Sequence, residues 1–183
     1  MNKIKYLFGL LLISVLASGF MPLEVVAQST IAGAEYKPDK NITEYFVFPY
    51  GEVSLPGKWE KLQYVSKSHQ QFFINDESVL IAIVFGAVND YDFNRNGSLK
   101  GYDFVKAYYG WESEFYSSSG FECKIIEEDQ SKSYIIWRVL GQGADTYSLI
   151  GERKGHVCNF SVNLTDKWTE DEKVQFLKNI YIK

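Results

Sequence analysis

Four runs of strand-forming residues follow one another at hairpin spacing late in the chain: Phe121 to Glu127, Ser133 to Leu140, Thr146 to Gly151 and His156 to Leu164, with polar turns between them. The turns are too short for a crossover helix, so these strands must lie side by side as an antiparallel meander. Further strand candidates precede them. They are Tyr45 to Val53, with Pro49 and Gly51 near its middle, then Lys61 to Ser66, Gln70 to Ile74 and Ser78 to Phe85, with Pro56-Gly57 as a turn. Ser98 to Ser118 changes period. Phe104, Tyr108, Trp111 and Phe115 recur at helical spacing on one face, and Gly120 stops the helix. Thr169 and Glu172 form a capping box for a closing helix with Val174, Leu177 and Tyr181 on its apolar side. Strands grouped apart from helices define an α+β fold, an antiparallel β-sheet with helices packed on it.

This order resembles the PsbP-like α/β/α sandwich, a fold used by photosystem accessory subunits and by several small bacterial periplasmic proteins. Three stretches carry the resemblance: Val53 to Trp59, a strand ending in Pro-x-x-Trp; Gly120-Phe121, leading from helix to meander; and Trp168 to Tyr181. It implies binding, adaptor or assembly-factor work and brings no active-site residues with it.

Ahead of the fold, Lys3 and Lys5 precede an apolar run from Tyr6 to Phe20, Pro22 breaks it, and Val25-Val26-Ala27 offers small residues for cleavage. That is the layout of a secretory signal peptide over residues 1–27. Residues 28–41 are polar, contain Pro38 and have no apolar period, as in a flexible leader, so a single domain is expected over 42–183. The mature protein is then expected in an extracytoplasmic space, periplasmic or secreted, with no further transmembrane span. Cleavage would remove two of the 19 basic residues and one of the 23 acids, moving the net charge from -4 to -5. Scattered lysines on an acidic chain exclude phosphate-backbone recognition, so nucleic acid is not an expected partner.

Cys123 and Cys158 fall on the first and last meander strands, roughly 14 Å apart at the usual strand spacing, so two buried free thiols are expected. Their neighbours Phe121 and Ile125, and Phe160, Val162 and Leu164, mark the expected core registers.

One stretch carries chemistry in its spacing. Asp92, Asn94, Asn96, Ser98 and Asp103 fall at positions 1, 3, 5, 7 and 12 of a calcium-type loop, with Gly97 at the sharp turn. Lys100 at the water-mediated position, the short Asp103 and a preceding strand depart from that pattern. The same residues also fit an ordinary strand-to-helix loop in which Asn96-Gly97 turns and Ser98 caps the helix. Calcium is therefore the one cofactor candidate, and otherwise no cofactor is expected.

Zinc, redox, P-loop, dinucleotide and GxSxG motifs are missing from the sequence. His69 and His156 are the only histidines, each without a nucleophile nearby in sequence. Tyr102, Tyr109 and Tyr116 recur every seven residues beside the helix's core face, either as a ligand- or partner-binding stripe or as the flank where helix meets sheet. Four glycosylation sequons, at Asn41, Asn96, Asn159 and Asn163, carry no weight beside a bacterial-type signal. The expected function is that of an exported non-catalytic binding or accessory protein, acting through protein–protein or small-ligand contacts on an exported or envelope partner. The alternative is a small extracytoplasmic hydrolase whose acid and base, His69 or His156 among them, are scattered in sequence.

Overall fold

A computed structural model describes residues 30–182; the expected signal peptide lies outside them. The meander forms as expected: β7 (Glu122–Asp129), β8 (Tyr134–Gly141), β9 (Ala144–Arg153) and β10 (His156–Val162) are successive antiparallel neighbours. β10 then pairs with β6 (Leu80–Ala87), followed outward by β5 (Gln70–Asn75) and β4 (Trp59–Val65), giving a seven-stranded sheet in the order β4-β5-β6-β10-β9-β8-β7. The fold is α+β, with antiparallel sheets and, among the described residues, two α-helices: α1 (Gly101–Ser118) and α2 (Glu170–Ile182).

The run Tyr45 to Val53 is not one strand. The chain turns at the cis Phe48–Pro49 bond, with the Tyr50 amide bonding the Val47 carbonyl at 2.7 Å. The halves become β2 (Ile42–Phe48) and β3 (Gly51–Pro56) of a separate three-stranded sheet, because proline has no amide to give to a continuing ladder. Its third member corrects the leader reading. Residues Ile31–Lys37 are β1, paired along their whole length with β2 from Ile31 opposite Phe48 to Lys37 opposite Ile42. An edge strand held by backbone pairing and buried on neither face needs no apolar alternation, so its sequence pattern is silent.

Both faces of the seven-stranded sheet are apolar, which is why β8 reads Tyr-Ile-Ile-Trp without alternation. One face, with Tyr134, Ile136, Tyr147, Leu149, Cys158 and Phe160, packs beneath the small sheet and α2. The other, with Ile135, Trp137, Val139, Ile150 and Val157, packs beneath α1. The capping box at α2 is made, Thr169 N–H donating to Glu172 at 2.7 Å and Glu172 N–H to Thr169 Oγ1 at 3.3 Å. Both cysteines are free, and they lie on opposite faces of the sheet. Cys158 is buried, whereas Cys123 is only half-buried. A register shift between Ile125 and Glu127 turns Ile125 outward and Ile126 onto the core, and Leu164 lies past the end of β10 and is exposed, so the expected register fails at both places.

Candidate ligand-binding cavity

α1 lies over β7, β8 and β9 and leaves the β10, β6 and β5 side of the same face uncovered by helix. A cavity of about 850 Å³ opens past that edge, walled by α1, by the turns after β6, by the β4–β5 hairpin and by the small sheet through Ala32, Tyr45 and Val47. That volume is in the range of small-molecule sites. Its α1 wall is aromatic and includes Tyr108, Trp111, Phe115 and Tyr116; Tyr91 comes from the turn segment between β6 and α1, and Asn159 from β10.

Three of these rings form a corner. Tyr91 and Tyr108 have centroids 5.0 Å apart at 73°, Tyr91 and Trp111 6.0 Å at 72°, and Tyr108 and Trp111 5.7 Å at 71°. Phe93 braces the corner from behind, 5.7 Å from Tyr91 and 5.8 Å from Trp111.

Beside it sits Glu112. The residue as a whole is half-buried, but its Oε2 atom is closed off from water and has no hydrogen-bond partner. Burial pushes the carboxyl up from 4.5 to about 7, because charge without water or a counter-ion is costly; a hydrogen bond from Tyr108 pulls the other way. Asn159 Nδ2 in turn donates to the Tyr108 hydroxyl at 2.9 Å, which fixes that ring. Burial first, and the Glu112 charge second, raises the phenols of Tyr91, Tyr108 and Tyr116. Among the described residues, no lysine or arginine offsets the Glu112 charge. Lys61 and Lys67 belong to the hairpin side of the cavity.

Sequence reasoning missed Glu112, Tyr91 and Asn159. A signal existed for the first: Glu112 follows the buried Val105 by two helical turns, so it stands on the stripe that faces the sheet, where an acid is out of place. The residues singled out for the core face divide otherwise, with Phe104 and Tyr108 buried and Trp111 and Phe115 half-buried along the cavity.

Of the stripe tyrosines only Tyr116 reaches the cavity, while Tyr109 and Tyr116 meet on Trp137. Tyr116 reaches the cavity and also packs on Phe121 and Trp137 at 5.8 Å each. Tyr109 packs edge-on against Trp137 at 5.4 Å. Tyr102 hydrogen-bonds Glu128 at the far end of the helix.

In the expected calcium loop, Asn94 is buried and works as a clamp: its Nδ2 donates to the carbonyls of Val88 and Leu99 at 3.0 and 3.1 Å, and its Oδ1 accepts from Leu99 N–H at 2.8 Å. Asp92 pairs with Arg95, and Asn96 Oδ1 accepts from Ser98 N–H at 3.0 Å. Ser98 does not cap α1; the first helical amide, Gly101 N–H, bonds Glu152 at 2.6 Å instead. Asp103 stands in the first turn of α1. Among the described residues no group of three or more His, Cys, Asp or Glu side chains is placed to hold a metal ion. Of the histidines, His69 Nδ1 lies 3.0 Å from the Tyr64 hydroxyl, and His156 Nδ1 is buried without a partner.

No protein-family model matches the chain, and no curated protein does. Among solved structures it is similar to cyanobacterial PsbP from Synechocystis sp. PCC 6803, at 9% sequence identity over 85% of this chain and 93% of that chain, with a TM-score of 0.45. The cavity's chemistry has to be read from its own residues. Among the described residues, no helix is long and apolar enough to cross a membrane.

Proposed function

We propose that this is an exported, non-catalytic binding protein that takes a small organic ligand into the cavity beside α1. One observation carries the reading: an aromatic-walled cavity of about 850 Å³ in which a buried carboxylate oxygen of Glu112 lacks a partner. Uncompensated buried charge is selected against unless something uses it, and such groups gather at functional sites. The signal-like segment before Gln28 supports export. His69 lines the same cavity but is bonded to Tyr64, so the hydrolase alternative lacks a histidine directed at a carboxylate.

The test is thermal shift and tryptophan emission with a panel of small amines, sugars and carboxylates. At least one class is expected to raise the melting temperature and change the emission, and the emission change should shrink in Trp111→Phe. No response to any class, or a response untouched in Trp111→Phe, contradicts the site.

A separate observation favours a protein contact as a second reading. On the outer face of the small sheet Ile31, Phe46 and Phe48 are 60%, 43% and 63% exposed, and Gly33 has no side chain to stop the Phe46 ring lying across β1. Replacing Phe46 and Phe48 by Ser is expected to lower self-association or cross-linking to an envelope protein without lowering the melting temperature; unchanged cross-linking would retire this face.

A further inference from the structure

We infer, resting on the reading of the α1 cavity as a ligand site, that the group it recognises is an organic cation, an ammonium or quaternary ammonium head seated between Glu112 and the ring corner of Tyr91, Tyr108 and Trp111. The three rings meet edge to face, at 71 to 73° to one another, and all three line the cavity, so a compact cation entering it meets electron-rich aromatic walls. Two of the walls are phenols and one an indole, the ring types that attract cations most strongly.

The carboxylate fits the same occupant. Glu112 lines the cavity with a carboxyl that accepts a hydrogen bond from Tyr108, keeps Oε2 without a partner and, among the described residues, has no basic side chain offsetting its charge. A sugar would supply donors but leave the charge uncompensated in a water-poor corner. An anion would be repelled. A cation answers the missing partner and the aromatic walls together, which is why desolvated pairs of this kind are stronger than their exposed counterparts.

The Asn159–Tyr108 hydrogen bond gives the corner its rigidity. With Tyr108 held from β10 and Tyr91 packed against both Phe93 and Phe104, at 5.7 and 5.8 Å, the walls stand in place before anything binds. Preorganised walls lower the ordering cost of binding.

Calorimetric titration of the full chain at pH 8 with choline chloride, and with 3,3-dimethylbutan-1-ol as its uncharged shape-mate, tests the inference. Choline is expected to bind and the alcohol to bind at least about tenfold more weakly. Glu112→Gln should weaken choline by about tenfold or more and erase the difference between the two probes, with its circular dichroism spectrum confirming a folded chain. Trp111→Leu, which removes one of the rings, should weaken choline while sparing the alcohol. If the alcohol binds as tightly as choline, or if a sugar or carboxylate of the panel binds and choline does not, the cavity remains a site and the cation inference is overturned. Choline binding unaltered in Glu112→Gln overturns it too. No binding by any probe removes the cavity reading along with it.

Discussion

On the side of the seven-stranded sheet that meets α2, polar groups that leave water find partners. Tyr147 donates to Glu170 at 2.7 Å, Tyr134 to Glu127 at 2.6 Å, and Glu127 also holds Lys178 at 2.8 Å. Arg138 grips Asp145 with two bonds of 2.6 and 3.0 Å, and the buried Lys173 lies 4.9 Å over the Tyr147 ring. Tyr181 sets its hydroxyl among three carbonyls, the nearest at 2.8 Å, and donates to one at a time. The α1 side differs. Glu112 Oε2, Trp137 Nε1 and Thr146 Oγ1 are buried there without partners, against His156 Nδ1 on the α2 side and Asn163 Nδ2 just past the end of β10. The same sheet therefore carries a face closed for stability and a face left chemically unfinished. Of these groups Glu112 is the one that lines the cavity.

The largest expected effect breaks the closed face. Phe160 is fully buried and stacks edge-on against Phe85 at 5.6 Å, so Phe160→Ala should cost about 4 kcal/mol in urea unfolding. Phe115→Ala at the cavity wall should cost less than about 1.5 kcal/mol. Equal losses would deny that the faces differ.

Glycines give the next contrast. A Cβ on Gly151 would fall 2.3 Å from the Tyr181 ring, and Gly151→Ala should cost about 3 kcal/mol. Gly110 on α1 has nothing within 4 Å of such an atom, so Gly110→Ala should add about 0.5 to 1 kcal/mol through helix propensity.

Glu112 reverses the usual sign. Its folded pKa of about 7 lies above the unfolded 4.5, so the folded state holds its proton longer. Stability from this group is complete below pH 4.5 and is lost as pH rises through the folded value. Glu112→Gln should thus stabilise the chain by about 2 kcal/mol at pH 8 and by little at pH 4, measured as unfolding free energy at each pH. A variant less stable than wild type at pH 8 would mean the carboxylate is satisfied.

Smaller still is the stripe. Tyr109→Ala removes a ring packed on Trp137 and should cost about 1 to 2 kcal/mol, whereas Tyr102→Phe, which loses a hydrogen bond at the surface, should stay within about 0.5 kcal/mol. Calcium should do least. Because the Asn94 clamp closes the loop with bonds to Val88 and Leu99, millimolar Ca²⁺ should move the melting temperature by less than about 1 °C; a larger rise would restore the loop as a site.

How much of this was legible follows from what each signal rests on. The meander and the capping box were readable because turn residues and a Thr-x-x-Glu spacing are local. β1 was not, since an edge strand is held by backbone pairing that its side chains do not report. Pro49 stands inside a run rich in strand-favouring residues, but its missing amide marks the turn between two strands. The calcium spacing was real in sequence, yet Asn94 turns inward, a fact of side-chain direction that spacing does not contain. The cavity draws on β10, α1, the turns before it, the β4–β5 hairpin and the small sheet, elements far apart in sequence, so only Glu112, an acid on a core-facing stripe, gives a local sign of it.

A carbon-detected NMR titration of the Glu112 side-chain carboxyl, run free and with saturating choline chloride, tests the central claim most directly. The free protein should titrate near 7, and the cation should lower that midpoint by about one unit as it favours the ionised form. A midpoint near 4.5 in the free protein, or one that choline leaves unmoved, would contradict the account.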